Sequence, residues 1–331
     1  MSSKIIVDIF PSKSLEGNPL GDPSTRKLPI YVPPGYEEGD QKYPVVYILV
    51  GFAGRGQKLL NDSFWDENMQ DRMDRLIGEG KVKPMILAFP DGTSRYGGAQ
   101  YLNTPAQGNY QDYILEIVDY VDSKYRTLAD KDHRSIAGFS SGGFSALHFG
   151  MKFSNIFSMI ACHSGDNYFE MNYKPDIPKF CKYYEKAGPE GLMDLLEDPK
   201  AAIRKGTSFY ALAVAAMAAC YSPNPDSPFG FDLPFNPNTG ELHPEIWQKW
   251  LDHDPVEIVK DHTEALKSLN LLFFDCGIYD EYNLLYGARI LAERLEKLDI
   301  PFQYEEFEDG HRNTEYRYAV SLQAISDAIS D

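Results

Sequence analysis

Short apolar runs bounded by turn-forming residues alternate along this chain with segments whose apolar residues recur at helical spacing. That alternation predicts an α/β protein with a mostly parallel sheet and helices on its faces. Strands are expected at residues 4–10, 26–32, 44–50, 85–89, 134–137, 157–162, 271–275 and 303–307. Little chain separates the first three, so they should pair antiparallel. Helical stripes follow the strands. Met69, Met73, Leu76 and Ile77 share one face, as do Ile114, Ile117, Val118 and Val121. Leu284, Ala288, Leu291, Leu295 and Leu298 form a third stripe, and Tyr318, Leu322, Ile325 and Ile329 a fourth.

One stretch breaks the alternation. From about residue 167 to residue 262 the strand pattern stops, and short helical pieces alternate with loops punctuated by Pro223, Pro225, Pro228, Pro234 and Pro237. So long an interruption reads as a lid-like insertion into a single domain that takes in residues 1–331. Its aromatics and Met217 (Phe209, Tyr210, Tyr221, Phe229, Phe231 and Phe235) either wall a pocket or only anchor the insertion to the domain.

Composition narrows the function. Of 331 residues, 43% are hydrophobic and 13% aromatic, enough for a large core. The balance of 32 basic and 49 acidic side chains, a net charge of −17, disfavours nucleic acid and anionic membranes as partners. The longest apolar run, residues 209–221, is short of the ~20 residues that a bilayer span needs. Cys162, Cys181, Cys220 and Cys276 lie far apart, which fits free thiols better than disulfides or zinc. The opening residues carry no signal-peptide core, so the expected location is cytoplasmic, or secreted with the signal already removed. The sequence says nothing of oligomeric state.

The chemistry centres on Gly138-Phe139-Ser140-Ser141-Gly142, a G-x-S-x-G between an apolar run and a helix start. A strand–turn–helix of this kind presents a strained serine with its hydroxyl exposed, and the two glycines relieve the crowding of the two backbones. The N–H of Ser141 then opens a helix and can face an oxyanion. A serine needs a histidine to take its proton and an acid to orient that histidine. Of seven histidines, only His311 sits in a loop between a late strand and the final helix. The acid is expected in the loop after the preceding strand, at Asp280; Asp275 closes that strand, and Asp309 is the fallback. No H-x-x-x-H or H-E-x-x-H spacing occurs, so neither a metal nor another cofactor is expected.

With these residues in view, the chain resembles the putative-esterase family of α/β hydrolases. That family includes feruloyl and acetylxylan esterases, S-formylglutathione hydrolase, enterochelin esterase and the mycolyltransferases. The resemblance runs through residues 31–36, 43–52 and 89–92, the serine turn, Cys162-His163-Ser164-Gly165, Asp275-Cys276-Gly277, Asp280-Glu281-Tyr282 and Gly310-His311. It implies an α/β-hydrolase fold and a triad of Ser140, Asp280 and His311. It also implies a second oxyanion N–H at Phe52, after the glycine that ends the third strand. Val50 stands where the family often has histidine, and Arg312-Asn313-Thr314 lacks the aromatic often found after the catalytic histidine. The Cys-containing loop of S-formylglutathione hydrolases is absent from residues 51–55. The expected function is that of a serine carboxylesterase on a small-molecule ester with short-chain or aromatic acyl groups. The alternatives are acyl transfer to a sugar hydroxyl, or a non-catalytic binding module on the same fold.

Overall fold

The computed structural model describes residues 2–64, 66–200 and 208–329. Its centre is an eight-stranded sheet in the order β1-β2-β4-β3-β7-β8-β9-β10. β1 (Lys4–Pro11), β2 (Thr25–Val32), β3 (Val45–Leu49) and β4 (Ile86–Ala88) form one half. β7 (Arg134–Phe139), β8 (Met159–His163), β9 (Leu271–Gly277) and β10 (Gln303–Phe307) form the other. A two-stranded ribbon, β5 (Asn103–Thr104) with β6 (Gly108–Asn109), lies apart from the sheet.

β1 pairs antiparallel with β2, and β2 antiparallel with β4, while the pairings from β4 to β10 are parallel. One sequence expectation is corrected here. β2 and β3 do not pair, because β4 lies between them. β3 runs on through α1 (Met69–Gly78) and returns as β4, and a parallel return of this kind places the second strand beside the first. The antiparallel edge is therefore made by β1, β2 and β4.

The central strands are apolar on both faces because both faces are covered. Val45, Tyr47 and Leu49 of β3 join Ile136, Ile160 and Leu272 under α2 (Tyr110–Lys124), α3 (Ser141–Lys152) and the helix Leu284–Lys297. Val46 and Ile48, one residue out of phase, join Ala137, Ala161 and Phe273 against α1 and the terminal helix Tyr318–Ala328. The four predicted stripes supply the faces of all these helices except α3. The outer strand β10, QYEEF, is partly exposed along its length.

The inserted helical region follows β8. α4 (Phe169–Asn172) leads into α5 (Ile177–Glu197), which kinks where Gly188 takes φ 66° ahead of Pro189. The helix Phe209–Tyr221 is buried almost all round and packs with Phe180, Leu192, Phe231, Phe235 and Trp250 into a core separate from the two against the sheet. Residues 201–207 of the predicted insertion lie outside the described residues. Asp254, itself fully buried, fastens the region at its root: its carboxylate accepts the N–H groups of Tyr168 (2.9 Å), Phe169 (2.6 Å) and Val256 (3.1 Å).

Candidate active site

β7 ends in a turn so tight that only glycines fit around it. A Cβ on Gly138 would lie 2.1 Å from the carbonyl oxygen of Gly142, and one on Gly142 would lie 2.2 Å from that of Leu49. Between them Ser140 adopts φ 56°, ψ −122°, a conformation that costs a non-glycine residue of order 1–3 kcal/mol. The strain is held by backbone bonds on either side: Ser140 N–H donates to the carbonyl of His163 (2.9 Å), and Phe144 N–H donates to that of Ser140 (2.9 Å).

The loop after β10 brings His311 to this turn. Its Nε2 is 3.1 Å from Ser140 Oγ and its Nδ1 is 2.7 Å from Asp280 Oδ2. Asp280 is held from its other side, Oδ1 accepting the N–H of Tyr282 at 2.9 Å. All three backbones meet at the C-terminal edge of the parallel strands, where loops from neighbouring strands converge. Glu281 accepts the backbone N–H of His311 at 2.7 Å, and that bond holds its carboxyl below the usual range. The rings of Phe139 and Tyr282 each lie 4.7 Å from the imidazole and confine it.

The other acids are engaged elsewhere. Asp275, within β9, bonds His163 and Arg317. Asp309 accepts Gly310 N–H and the Tyr316 hydroxyl. The geometry therefore brings together Ser140, His311 and Asp280. In such a chain the carboxylate fixes the imidazole tautomer, leaving Nε2 to accept the hydroxyl proton. Ser141 and Phe52 line the same pocket as Ser140 and His311. Phe52 reaches it because Gly51 packs close to Ser140, a Cβ on Gly51 meeting that of Ser140 at 3.1 Å.

The pocket has a volume of about 290 Å³ and is largely apolar, walled by Val50, Phe52, Leu59, Phe139, Phe209 and Val214 among others. Of the insertion side chains singled out from sequence, Phe209 and Met217 reach it and Tyr210 borders a small neighbouring cleft. Tyr221, Phe231 and Phe235 are buried in the insertion's own core, with Phe229 packed against it. The sequence reading missed Asp166, Asn172 and Tyr173, which also line the pocket. Asp166 accepts Gln100 Nε2 (2.9 Å) and the Tyr173 hydroxyl (3.0 Å), and burial pushes its carboxyl above the usual range. Its signal was positional: it stands three residues beyond the end of β8, on the edge where the other site residues gather.

Among the described residues, no group of three or more His, Cys, Asp and Glu side chains could hold a metal ion. No helix among them is long and apolar enough to cross a membrane.

The profile of the family described as "Putative esterase" matches residues 23–328. The chain belongs to this family. An esterase of Mycobacterium tuberculosis (strain ATCC 25618 / H37Rv) is 30% identical over 142 residues, 41% of this chain and 28% of that protein. An endo-1,4-beta-xylanase/feruloyl esterase of Xylanibacter ruminicola is 29% identical over 185 residues, 52% of this chain and 24% of that one. The alignments with these curated relatives thus span only about a quarter of each. Among solved structures, a ferulic acid esterase superposes with a TM-score of 0.63 at 20% identity, covering 99% of both chains, which establishes the shared α/β-hydrolase fold.

Proposed function

We propose that this member of the family is a serine carboxylesterase that hydrolyses short-chain or aromatic acyl esters. The observation that carries the reading is the hydrogen-bonded chain from Ser140 through His311 to Asp280, opening into an apolar pocket. Ser140 Oγ attacks the ester carbonyl while His311 Nε2 takes its proton. The N–H groups of Ser141, at the positive end of α3, and Phe52 hold the oxyanion. His311 returns the proton to the departing alcohol, and a water activated by the same imidazole then cleaves the acyl-enzyme. Asp280 keeps the imidazole in the required tautomer and balances its charge.

The acyl preference rests on the walls. Phe52, Phe139, Tyr173 and Phe209 suit a flat ring or a short chain, and the feruloyl esterase activity named for the Xylanibacter relative is of that aromatic kind. The test is a panel of p-nitrophenyl and hydroxycinnamoyl esters, with labelling by a fluorophosphonate. Turnover with labelling at Ser140 is expected. An unlabelled protein, inert towards the whole panel, would leave a binding module on the same fold as the reading.

A further inference from the structure

Beneath the site lies a second serine–histidine–aspartate chain that no substrate can reach. His163, the last residue of β8, places Nδ1 2.8 Å from Asp275 Oδ1 and Nε2 2.8 Å from Ser321 Oγ. Asp275 Oδ2 in turn accepts Arg317 Nε at 2.8 Å. His163, Asp275 and Ser321 are at most 2% exposed. A carboxylate oxygen accepts, so Nδ1 carries a hydrogen, and Ser321 Oγ, which bonds Nε2, also donates to the Tyr318 carbonyl at 3.4 Å. The order of groups repeats that of Ser140, His311 and Asp280.

Burial rules out turnover at Ser321, so a different role is needed for this buried group of polar side chains, whose outer member, Arg317, also pairs with Glu305 of β10. Three of them are tied to the proposed reacting residues, His163 by a backbone hydrogen bond and Asp275 and Arg317 by short stretches of chain. The His163 carbonyl accepts the N–H of Ser140, holding the strained turn. The Asp275 carbonyl accepts the N–H of Ser164, so the ends of β8 and β9 are bonded by main chain as well as side chain. Asp275 lies five residues before Asp280, and Arg317 six residues after His311. Tyr318, which lines the pocket, packs edge-on to the His163 ring with centroids 4.8 Å apart.

We propose that Ser321, His163, Asp275 and Arg317 form a positioning relay that clamps the loop carrying His311 against the turn carrying Ser140. Arg317 pulls the end of the His311 loop onto β9. His163, oriented by Ser321, joins β9 to β8 and so to the nucleophile's backbone. A chain of fully satisfied buried hydrogen bonds is rigid. The 3.1 Å contact between His311 and Ser140 needs that rigidity, since displacement by about 1 Å can cost about a hundredfold in rate. The inference rests on the proposed roles of Ser140 and His311.

The test compares Arg317→Met with Arg134→Met. Arg134 makes a similarly buried ion pair with Asp122 (2.6 Å), but at the start of β7, the end of the strand away from Ser140. Melting temperature, kcat and KM are read for each on p-nitrophenyl acetate. Both variants should melt earlier. Only Arg317→Met should lose kcat, roughly tenfold or more with KM little changed, and Arg317→Lys should recover part of the loss. Equal kcat in Arg317→Met and wild type, or an equal loss in both Met variants, overturns the relay. Should Arg317→Met fail to fold, Ser321→Ala decides, because it deletes one hydroxyl. A fall in kcat at constant KM supports the relay, and an unchanged kcat overturns it. Failure of the underlying ester chemistry would show separately, as full activity in Ser140→Ala.

Discussion

Phe52, in the loop after β3, meets Phe209, the first residue of its helix, edge to face with ring centroids 6.0 Å apart. Through this contact the inserted region touches the loop that we assign to the oxyanion site, and both rings line the pocket. Wild-type kcat/KM should therefore fall beyond butyryl or hexanoyl p-nitrophenyl esters. Phe209→Ala should shift the optimum to longer chains, each newly buried methylene adding up to ~0.8 kcal/mol, or about fourfold. A chain-length profile that the substitution leaves unaltered would place the acyl group elsewhere.

Ser140→Ala removes a single hydroxyl from a turn whose geometry is set by its glycines and backbone bonds. Hydrolysis of p-nitrophenyl acetate and labelling by a fluorophosphonate should both disappear, leaving at most the residual rate from binding and the oxyanion site. The melting temperature should stay close to that of the wild type, as checked by calorimetry.

Asp280→Asn keeps the shape of the acid but lets the wrong imidazole tautomer form. A loss in kcat of up to ~10⁴-fold is expected by analogy with serine proteases, less for activated esters. Asp309→Asn should cost little, since the partners of its carboxylate are Gly310 N–H and the Tyr316 hydroxyl, away from the imidazole. Kinetics of the two variants side by side decide between the acids, and the reverse ranking would move the role to Asp309.

Gly142→Ala places a methyl group 2.2 Å from the Leu49 carbonyl oxygen, a backbone atom that cannot swing aside. Overpacking of this kind costs about 1–3 kcal/mol or more. The variant should melt several degrees lower and lose activity together with stability, whereas Gly78→Ala, which meets nothing within 4 Å, should keep both. Thermal unfolding of the pair is the measurement.

Burial raises the carboxyl of Asp254 to about 6, despite the three backbone N–H groups that favour its ionised form. A pKa raised on folding means that the folded state binds the proton more tightly. The contribution to stability is thus fully present below the unfolded pKa, near 4, and is lost as pH rises through about 6. Asp254→Asn carries no such titration. Relative to this variant, wild type should lose on the order of 3 kcal/mol between pH 4 and pH 7, read from urea unfolding at several pH values. A difference that stays constant with pH would show that Asp254 is not titrating in this window.

Much of the architecture was legible because it is encoded locally. Turn residues and apolar periodicity located all eight strands of the main sheet, and β10 was bounded to the residue. The G-x-S-x-G turn could be read because only glycine survives contacts of 2.1–2.2 Å to backbone oxygens. His311 stood out by its place between a strand and the last helix. Strand neighbours were less legible, since the short connection from β2 to β3 suggested pairing and the crossover through α1 put β4 between them.

Interactions between near neighbours in the chain set the succession of elements and the residue types at their ends, since φ/ψ preference, periodicity and glycine spacing act over a few residues. Which of those residues meet was settled by the packing of distant elements. It set Asp280 against His311 and turned Asp275 away to His163 and Arg317. It also sent Phe209 to the pocket while Phe231 and Phe235, equally aromatic, went into the insertion's core. Asp166 gave no motif, because its place in the pocket is fixed by contacts with Gln100 and Tyr173, and Gln100 lies 66 positions away along the chain. Such pairings depend on how whole layers pack, and no local pattern of residues records them.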